Sequence, residues 1–311
     1  MNISLILFNK TLSMLLMALI GYVLVKRGLL NSGDKRALNI INLYAVSPCV
    51  ILTAFQVALT PDKVTGLITA FAGAISVHIL FLLLARLLVR PLGLNQAEQA
   101  SLIYSNAGNM ILPLVSTILG EEYTLYACAY MAVQNVIIWS HGVMLLSSSE
   151  RKFNLKKVVL NPNILAIGVG LILFFGQITL PDILYSTASS MGKLIGPQAM
   201  LIMGMIVAES RLSECFRNPK TYLVCFGRLI FFPLVCILIL RLTGLSLKNE
   251  LIHTALLATL LAASAPVASN VTMLALLYDG DVKSASRINV MTLFFCAFTM
   301  PLMVLVYQNL C

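Results

Sequence analysis

SNAGNMILP, from Ser105 to Pro113, lies inside an apolar run that is long enough to cross a membrane. Two asparagines, a glycine and a proline stand where a spanning helix normally carries leucine or valine. Relative to alanine, glycine costs a helix interior about 1 kcal/mol and proline about 3 kcal/mol. A buried amide without a partner costs several kcal/mol more in hydrocarbon. The stretch therefore predicts an interrupted membrane helix.

A second stretch of the same character, SAPVASN from Ser264 to Asn270, occurs in the other half of the chain. Each stretch is followed by an apolar half-helix, an acidic glycine turn (ILGEE at 118–122, LYDGD at 277–281) and another apolar segment. Interrupted segments in corresponding places of two halves are the best sequence indication of a transporter's binding site. We expect the two interruptions to face each other near the bilayer midplane.

The composition excludes a soluble protein. The chain has 311 residues, of which 59% are hydrophobic and 11% charged, and its mean hydropathy is +0.93, whereas a soluble domain carries roughly 25% charged residues. The net charge is +9. The basic residues lie between the apolar runs, which favours a role as topology signals over nucleic-acid binding. The seven cysteines show no paired spacing, so we expect no disulfide, metal or cofactor.

Apolar runs near the roughly 20-residue length of a spanning helix occur ten times. The predicted spans are 4–25, 37–57, 64–88, 98–119, 124–147, 160–180, 185–208, 219–242, 252–278 and 284–307. A short polar connection, 149–158, divides the chain into a first half, 1–148, and a second half, 159–311. The predicted fold class is an all-α integral membrane protein with ten transmembrane helices.

The basic residues predict the orientation. Most of the 21 lysines and arginines fall after the odd-numbered spans, and the exceptions are Lys10, Lys63, Lys193, Arg241 and Lys248. By the positive-inside rule, both termini then face the outside of the inner (plasma) membrane. Because each half has five helices, two similar halves would insert in opposite orientations, which is the inverted repeat typical of secondary transporters.

Four segments resemble one known family. SNAGNMILPLVSTILGEE (105–122), NPNILAIGVGLIL (161–173), APVASNVTMLALLYDGD (265–281) and TLFFCAFTMP (292–301) are similar to the signatures of the auxin efflux carrier family. The resemblance covers essentially the whole chain. The short central connection is similar to that of bacterial members, which are described as carriers of malate, malonate and related acids.

The resemblance implies two inverted five-helix repeats, with helices 4 and 9 broken and crossing, and a carboxylate substrate bound at the crossing. This architecture is shared with the sodium–bile-acid and sodium–proton carriers. It also implies that helices 1, 2, 6 and 7 form a scaffold with the surface of a homodimer. In plant members the third helix carries a charged pair, but the corresponding span here has no acidic residue and no lysine, so that pair cannot be carried over.

The residue types in the two interruptions suit an anion. A broken helix presents free N–H groups and the positive end of its dipole at the membrane centre. Asparagine amides and a serine hydroxyl add donors, glycine allows close approach, and the prolines keep the helices broken. The predicted substrate-binding residues are Asn106, Gly108, Asn109, Pro113, Pro266, Ser269 and Asn270. The alternative is that they are polar residues that pack helices together.

Other polar residues in the spans have two interpretations. Asn42, Ser47 and Gln198 either line the scaffold side of the cavity or bond neighbouring helices, and the same holds for Gln134 and Asn135. His78 lies near the middle of the third span, and histidine titrates near neutral pH. We therefore predict that His78 takes part in proton coupling; the alternative is a neutral histidine bonded to a neighbouring helix.

The sequence favours a secondary carrier of small organic anions that works by alternating access within the lipid bilayer. Phosphate-binding, metalloprotease and serine-hydrolase motifs do not occur, which argues against an enzyme or an ATP-driven pump. One alternative is a sodium- or proton-coupled carrier of another solute, which would place an acidic cluster at the crossing. Another is a channel or sensor built on a carrier fold. Near the end of the seventh span, Glu209 is expected to pair with Arg211 or Arg228.

Overall fold

The computed structural model describes residues 3–147, 155–210 and 212–311, with side chains omitted at Ser32, Leu155, Lys157, Leu212 and Ser213. Every regular element in these ranges is a helix. The main helices are α1 (Ile3–Lys26), α2 (Gly33–Ala54), α3 (Pro61–Leu92), α4 (Gln96–Ile103), α5 (Ala107–Ile118), α6 (Glu121–Leu146), α7 (Pro162–Phe175), α8 (Asp182–Glu209), α9 (Pro219–Thr243), α10 (Glu250–Ala263), α11 (Ser269–Leu277) and α12 (Val282–Leu310).

Seven of these helices are long and apolar enough to cross a membrane: α1, α2, α3, α6, α8, α9 and α12. Three shorter apolar helices, α5, α7 and α10, fall within the remaining predicted spans. The predicted all-α, multi-pass membrane fold is therefore confirmed. The number of ten crossings stays a prediction. Most of the polar connection 149–158 lies outside the described residues, and Leu155–Val159 at its end is a short helix.

Several helices begin at a residue whose side chain accepts a hydrogen bond from a free backbone N–H group. Thr60 caps α3 and Asn249 caps α10. Asn95 and Glu98 form a reciprocal capping box at the start of α4. The Nδ2 of Asn95 also donates to Asp281 Oδ2 (3.0 Å), and Asp281 caps α12. A cap contributes about 1 kcal/mol, and this contact joins the start of α4 to the start of α12.

Four π-turns interrupt the helices at residues 42–46, 107–111, 138–142 and 227–231. They contain Asn42, Asn109, His141 and Arg228 respectively. A π-turn widens the helix by one residue, and such turns occur frequently at functional sites. The candidate site contains two of them.

Helices α1 and α8 pack at backbone distance. A Cβ added to Gly204 would lie 1.8 Å from the carbonyl oxygen of Ala18, and one added to Gly21 would lie 2.2 Å from that of Leu201. Small residues allow this close approach between membrane helices. The pair joins the first half of the chain to the second.

Gly204→Ala is expected to lower the free energy of unfolding by about 1–3 kcal/mol, because the new methyl group must push two backbones apart. The matched control is Gly168→Ala in α7, where an added Cβ meets nothing within 4 Å. The control should be neutral or stabilising, since alanine favours a helix by about 1 kcal/mol over glycine. Thermal unfolding of the purified protein in detergent measures both. Equal Tm values for the two variants would contradict the close packing.

The carboxylate of Glu209 pairs with Lys35 of α2. Of its two expected partners, Arg228 donates instead to the carbonyl of Leu102, and Arg211 lies outside the described residues. The Lys35 contact ties α2 to α8.

Candidate functional site

The two interrupted helices meet through their backbones. Helix α4 ends at Ile103 and the chain becomes helical again at Ala107, while α10 ends at Ala263 and α11 begins at Ser269. Between them, Ser105 and Val267 form an isolated antiparallel bridge. The N–H of Asn106 donates to Pro266 O (2.8 Å), and the N–H of Ala268 donates to Tyr104 O (3.0 Å). We call residues 104–106 and 264–268 the crossing.

Gln134 of α6 satisfies the backbone of the first interruption. Its Oε1 accepts from the Ser105 N–H (2.9 Å) and hydroxyl (2.8 Å), and its Nε2 donates to the Ser105 carbonyl (2.6 Å). Both side chains are buried, with 5% of Gln134 exposed and none of Ser105. Backbone groups released from a helix in hydrocarbon need such partners. Gln134, one of the polar residues with two interpretations, thus makes three hydrogen bonds to Ser105.

The second interruption is supported from α12. The Val267 N–H donates to Thr292 Oγ1 (3.2 Å), and Asn289 Nδ2 donates to the carbonyl of Ala268 (3.4 Å). Thr292 and Asn289 are both fully buried. Neither residue was predicted to support the interruption, because each is an isolated polar residue within an apolar run.

Two helix N-termini begin at the crossing. The helical segment 107–118 follows Asn106, and α11 follows Ala268; neither end has a side-chain cap. Each N-terminus carries roughly half a positive charge from its free N–H groups, which makes it suited to an anion. The crossing thus brings two such ends together inside the protein.

The predicted asparagines lie at this point but differ in exposure. Asn106 is 4% exposed, and its amide nitrogen has no hydrogen-bond partner. Asn109 is half-buried, and its Oδ1 accepts from Nδ2 of Asn42 (3.0 Å). Asn270 is also half-buried. Asn42 of α2 thus bonds a residue of the first turn after the crossing, and its role on the scaffold side of the cavity stays a prediction.

The remaining predicted residues occupy different positions. Pro266 lies within the second interruption, and Pro113 lies in the first turn of the helical segment Leu112–Ile118, after the first interruption. A Cβ on Gly108 would lie 3.0 Å from the sulfur of Met131. The hydroxyl of Ser269 lies 3.1 Å from the sulfur of Met203 on α8.

Ser47 and Gln198, the two other residues predicted on the scaffold side, differ in their contacts. Ser47 is buried, with 3% exposed. Gln198 donates from Nε2 to the carbonyl of Leu38 (2.9 Å), and its Oε1 has no hydrogen-bond partner. Gln198 thus bonds α8 to α2.

A cavity of about 490 Å³ lies between α5 on one side and α1, α2 and α8 on the other. Its volume is that of a small-molecule site. Its lining includes Leu112, Pro113, Gly196 and Pro197, and also the charged residues Lys10, Glu121, Glu122 and Lys193. Asn109 is one helical turn before Pro113, so the cavity reaches the neighbourhood of the predicted site.

His78 lies on the other side of the crossing and is fully buried. Its Nδ1 lies 2.7 Å from the carbonyl oxygen of Ala74, one turn earlier, and its Nε2 has no hydrogen-bond partner. Its ring centroid is 4.7 Å from that of Tyr130. The structure therefore does not give His78 a direct bond to a substrate-binding residue.

The burial of Arg228 in α9 was not predicted. Sequence analysis counted it with the basic loops, but it is fully buried in a π-turn. Its Nη1 donates to the carbonyl of Leu102 (3.3 Å), immediately before the first interruption. The signal was present: the predicted span 219–242 contains Arg228, with apolar residues on both sides.

Among the described residues, no group of three or more histidines, cysteines, aspartates or glutamates is arranged to hold a metal ion. The residues at the crossing are amides, hydroxyls and backbone N–H groups. These groups bind anions and polar solutes without a resident charge.

The apolar helices and paired interruptions define a multi-pass membrane protein with an internal polar site, the class to which transporters belong. Comparison with protein families matches residues 6–157 and 150–304 to the family described as membrane transport protein. The chain therefore belongs to this family, which is of the auxin efflux carrier type. A search of curated proteins finds no match.

Proposed function

We propose that the protein is a secondary active transporter of small organic anions, such as mono- or dicarboxylates, and that it works by alternating access. The substrate binds where the two helix N-termini meet, on Asn106, Gly108, Asn109, Ser269 and Asn270. The observation that carries this proposal is the pair of uncapped helix ends held together by the bridge between Ser105 and Val267. Family membership makes transport the general function.

The proposed architecture is ten crossings in two inverted repeats, 1–148 and 159–311, with both termini on the outer side of the inner membrane. In this orientation the cavity opens outwards, because its lining includes Gln56 and Glu121, next to connections predicted to lie outside. The helices α1, α2, α7 and α8 form the scaffold and the surface for a homodimer. The segments 96–118 and 250–277 belong to the moving part.

The test is uptake into proteoliposomes of radiolabelled malate, malonate, oxalate and indole acetate, with and without an imposed proton gradient. Saturable uptake of at least one acid is expected. Uptake that needs a sodium gradient, or saturable uptake of an uncharged solute alone, would favour the alternative of another coupled carrier. Binding without uptake in vesicles that contain folded protein would favour a sensor.

Alternating access predicts that joining α5 to α8 stops transport. A Cβ added to Gly196 would lie 3.4 Å from the Cβ of Pro113, near the usual Cβ separation of a disulfide, about 3.5–4.5 Å. The double variant Pro113→Cys/Gly196→Cys should therefore lose uptake on oxidation and regain it on reduction. Each single variant, treated in the same way, is the control. Full uptake by protein shown to be cross-linked would contradict relative motion of these helices.

Proton coupling through His78 is part of the proposal, since a buried ionisable group in a membrane segment is expected to have a function. His78→Gln keeps a polar side chain but cannot take up a proton. Its initial rate of uptake should lose the dependence on external pH that the wild type shows. A pH profile that matches the wild type would remove His78 from the mechanism and leave it as a packing residue against Tyr130.

A further inference from the structure

Among the described residues, Arg228 is a positive charge in the protein interior without a carboxylate partner. It is fully buried within α9, and its Nη1 donates to the carbonyl of Leu102. Its Nε and Nη2 have no hydrogen-bond partner. A guanidinium has five N–H donors, so most of its capacity is unused.

Carboxylates do not balance this charge in the part of the chain that the structure describes. The ion pairs found there are Lys35–Glu209 and Lys63–Glu122. The groups that interact with Arg228 include the ring of Phe81, whose centroid is 5.3 Å away, and the side chains of Tyr130, Cys236 and His78. Burying an unpaired ion is costly, and a charge inside a membrane protein indicates function by default.

Tyr130 of α6 links Arg228 to the crossing, because it interacts with both Arg228 and Ser105. On the next turn of α6, Gln134 holds the backbone of Ser105. The Tyr130 hydroxyl and His78 Nε2 are also buried and without a hydrogen-bond partner. The guanidinium therefore lies next to the residues that support the first interruption.

We infer that Arg228 is the fixed charge that selects anions at the crossing, acting through the field and not by contact. This inference rests on the proposed function and assigns the charge preference to a named residue. The two helix N-termini act in the same sense as Arg228 but carry only partial charges. A charge that acts at a distance in a medium of low dielectric constant stabilises a bound solute in proportion to the charge of that solute.

The test uses three solutes of nearly equal size: malonate, its monoamide malonamate, and its diamide malonamide. At neutral pH they carry two, one and no negative charges. Binding is measured for wild type, Arg228→Met and Arg228→Lys through the rise in Tm of the purified protein in detergent. In Arg228→Met, affinity should fall about tenfold for the monoanion and about a hundredfold for the dianion, and should not change for the neutral diamide. Arg228→Lys should stay within a few-fold of wild type.

Equal losses for all three solutes, or a loss in Arg228→Lys as large as in Arg228→Met, would overturn the inference, because a packing role does not depend on solute charge. A second readout needs no ligand. The Tm of ligand-free Arg228→Met should equal or exceed that of wild type, since methionine removes an unpaired buried charge. A lower Tm, or an Arg228→Met protein that fails to fold while Arg228→Lys folds, would show a structural lock and overturn the inference. Wild type that binds none of the solutes would refute the proposed substrate class, and the Tm comparison would still decide the status of Arg228.

Discussion

Replacing Asn109 or Asn270 with leucine is expected to reduce uptake of the transported acid at least tenfold. Each change removes an amide donor beside a helix N-terminus and places an apolar side chain where the substrate's charge must lie. One lost hydrogen bond to a charged group is worth about 1.5–3 kcal/mol, and a tenfold change corresponds to 1.4 kcal/mol. Initial rates in proteoliposomes, normalised to reconstituted protein, measure the effect.

The two variants differ in their expected effect on the stability of the substrate-free protein. Asn109 accepts from Asn42, so Asn109→Leu should also lower the free energy of unfolding by about 1 kcal/mol. Asn270 is half-buried and is expected to affect uptake far more than stability. The control is Asn309→Leu, an exposed asparagine near the end of α12, which should transport normally. Unimpaired uptake in both Asn109→Leu and Asn270→Leu would make the crossing structural and the proposed site wrong.

Gln134→Leu is expected to lower the apparent Tm by roughly 5–10 °C and to abolish uptake. The change leaves the Ser105 N–H and carbonyl buried without their partners, and each unsatisfied group costs about 1–3 kcal/mol. The crossing then loses the backbone geometry that presents the two helix ends. Thermal unfolding and uptake should be measured on the same preparation.

Its neighbour Asn135 is the matched control. Asn135 is equally buried, with 5% exposed, but its amide nitrogen has no hydrogen-bond partner. Asn135→Leu removes an unsatisfied polar group and should be neutral or stabilising. If Gln134→Leu has no larger effect on Tm than Asn135→Leu, the hydrogen bonds from Gln134 do not support the crossing.

The interruptions could be predicted from the sequence, because asparagine, glycine and proline are unexpected in the middle of apolar runs. The residues at which each interruption begins and ends could not be predicted. The first interruption covers residues 104–106 and Pro113 lies beyond it, since the pairing of Ser105 with Val267 decides where helical hydrogen bonding stops. That pairing joins residues from different halves of the chain, and local propensity contains no information about it.

Charged residues show the same limit. Glu209 was predicted to pair with Arg211 or Arg228, because all three were assigned to one cytoplasmic end of the helices. In the structure, Arg228 is buried in the protein interior, and Glu209 pairs with Lys35. The positive-inside rule counts charges by their place between spans, so it cannot recognise an arginine that a span encloses. The membership of the family and the all-helical membrane fold were predicted correctly, because they depend on motifs and apolar length that extend over the whole chain.

The reciprocal hydrogen bonds of the crossing also affect how the protein is made. The N–H of Asn106 and the carbonyl of Tyr104 find their partners, Pro266 and Ala268, only near the end of the chain. The chain is synthesised at about 5–20 residues per second, so the time between synthesis of Asn106 and synthesis of Ala268 is on the order of ten seconds. Until then, these two groups are in the membrane without their final partners. Chains truncated before Pro266 should therefore be recognised as unfinished and degraded faster than the complete protein; the proposed binding site would then also serve as a checkpoint in membrane insertion.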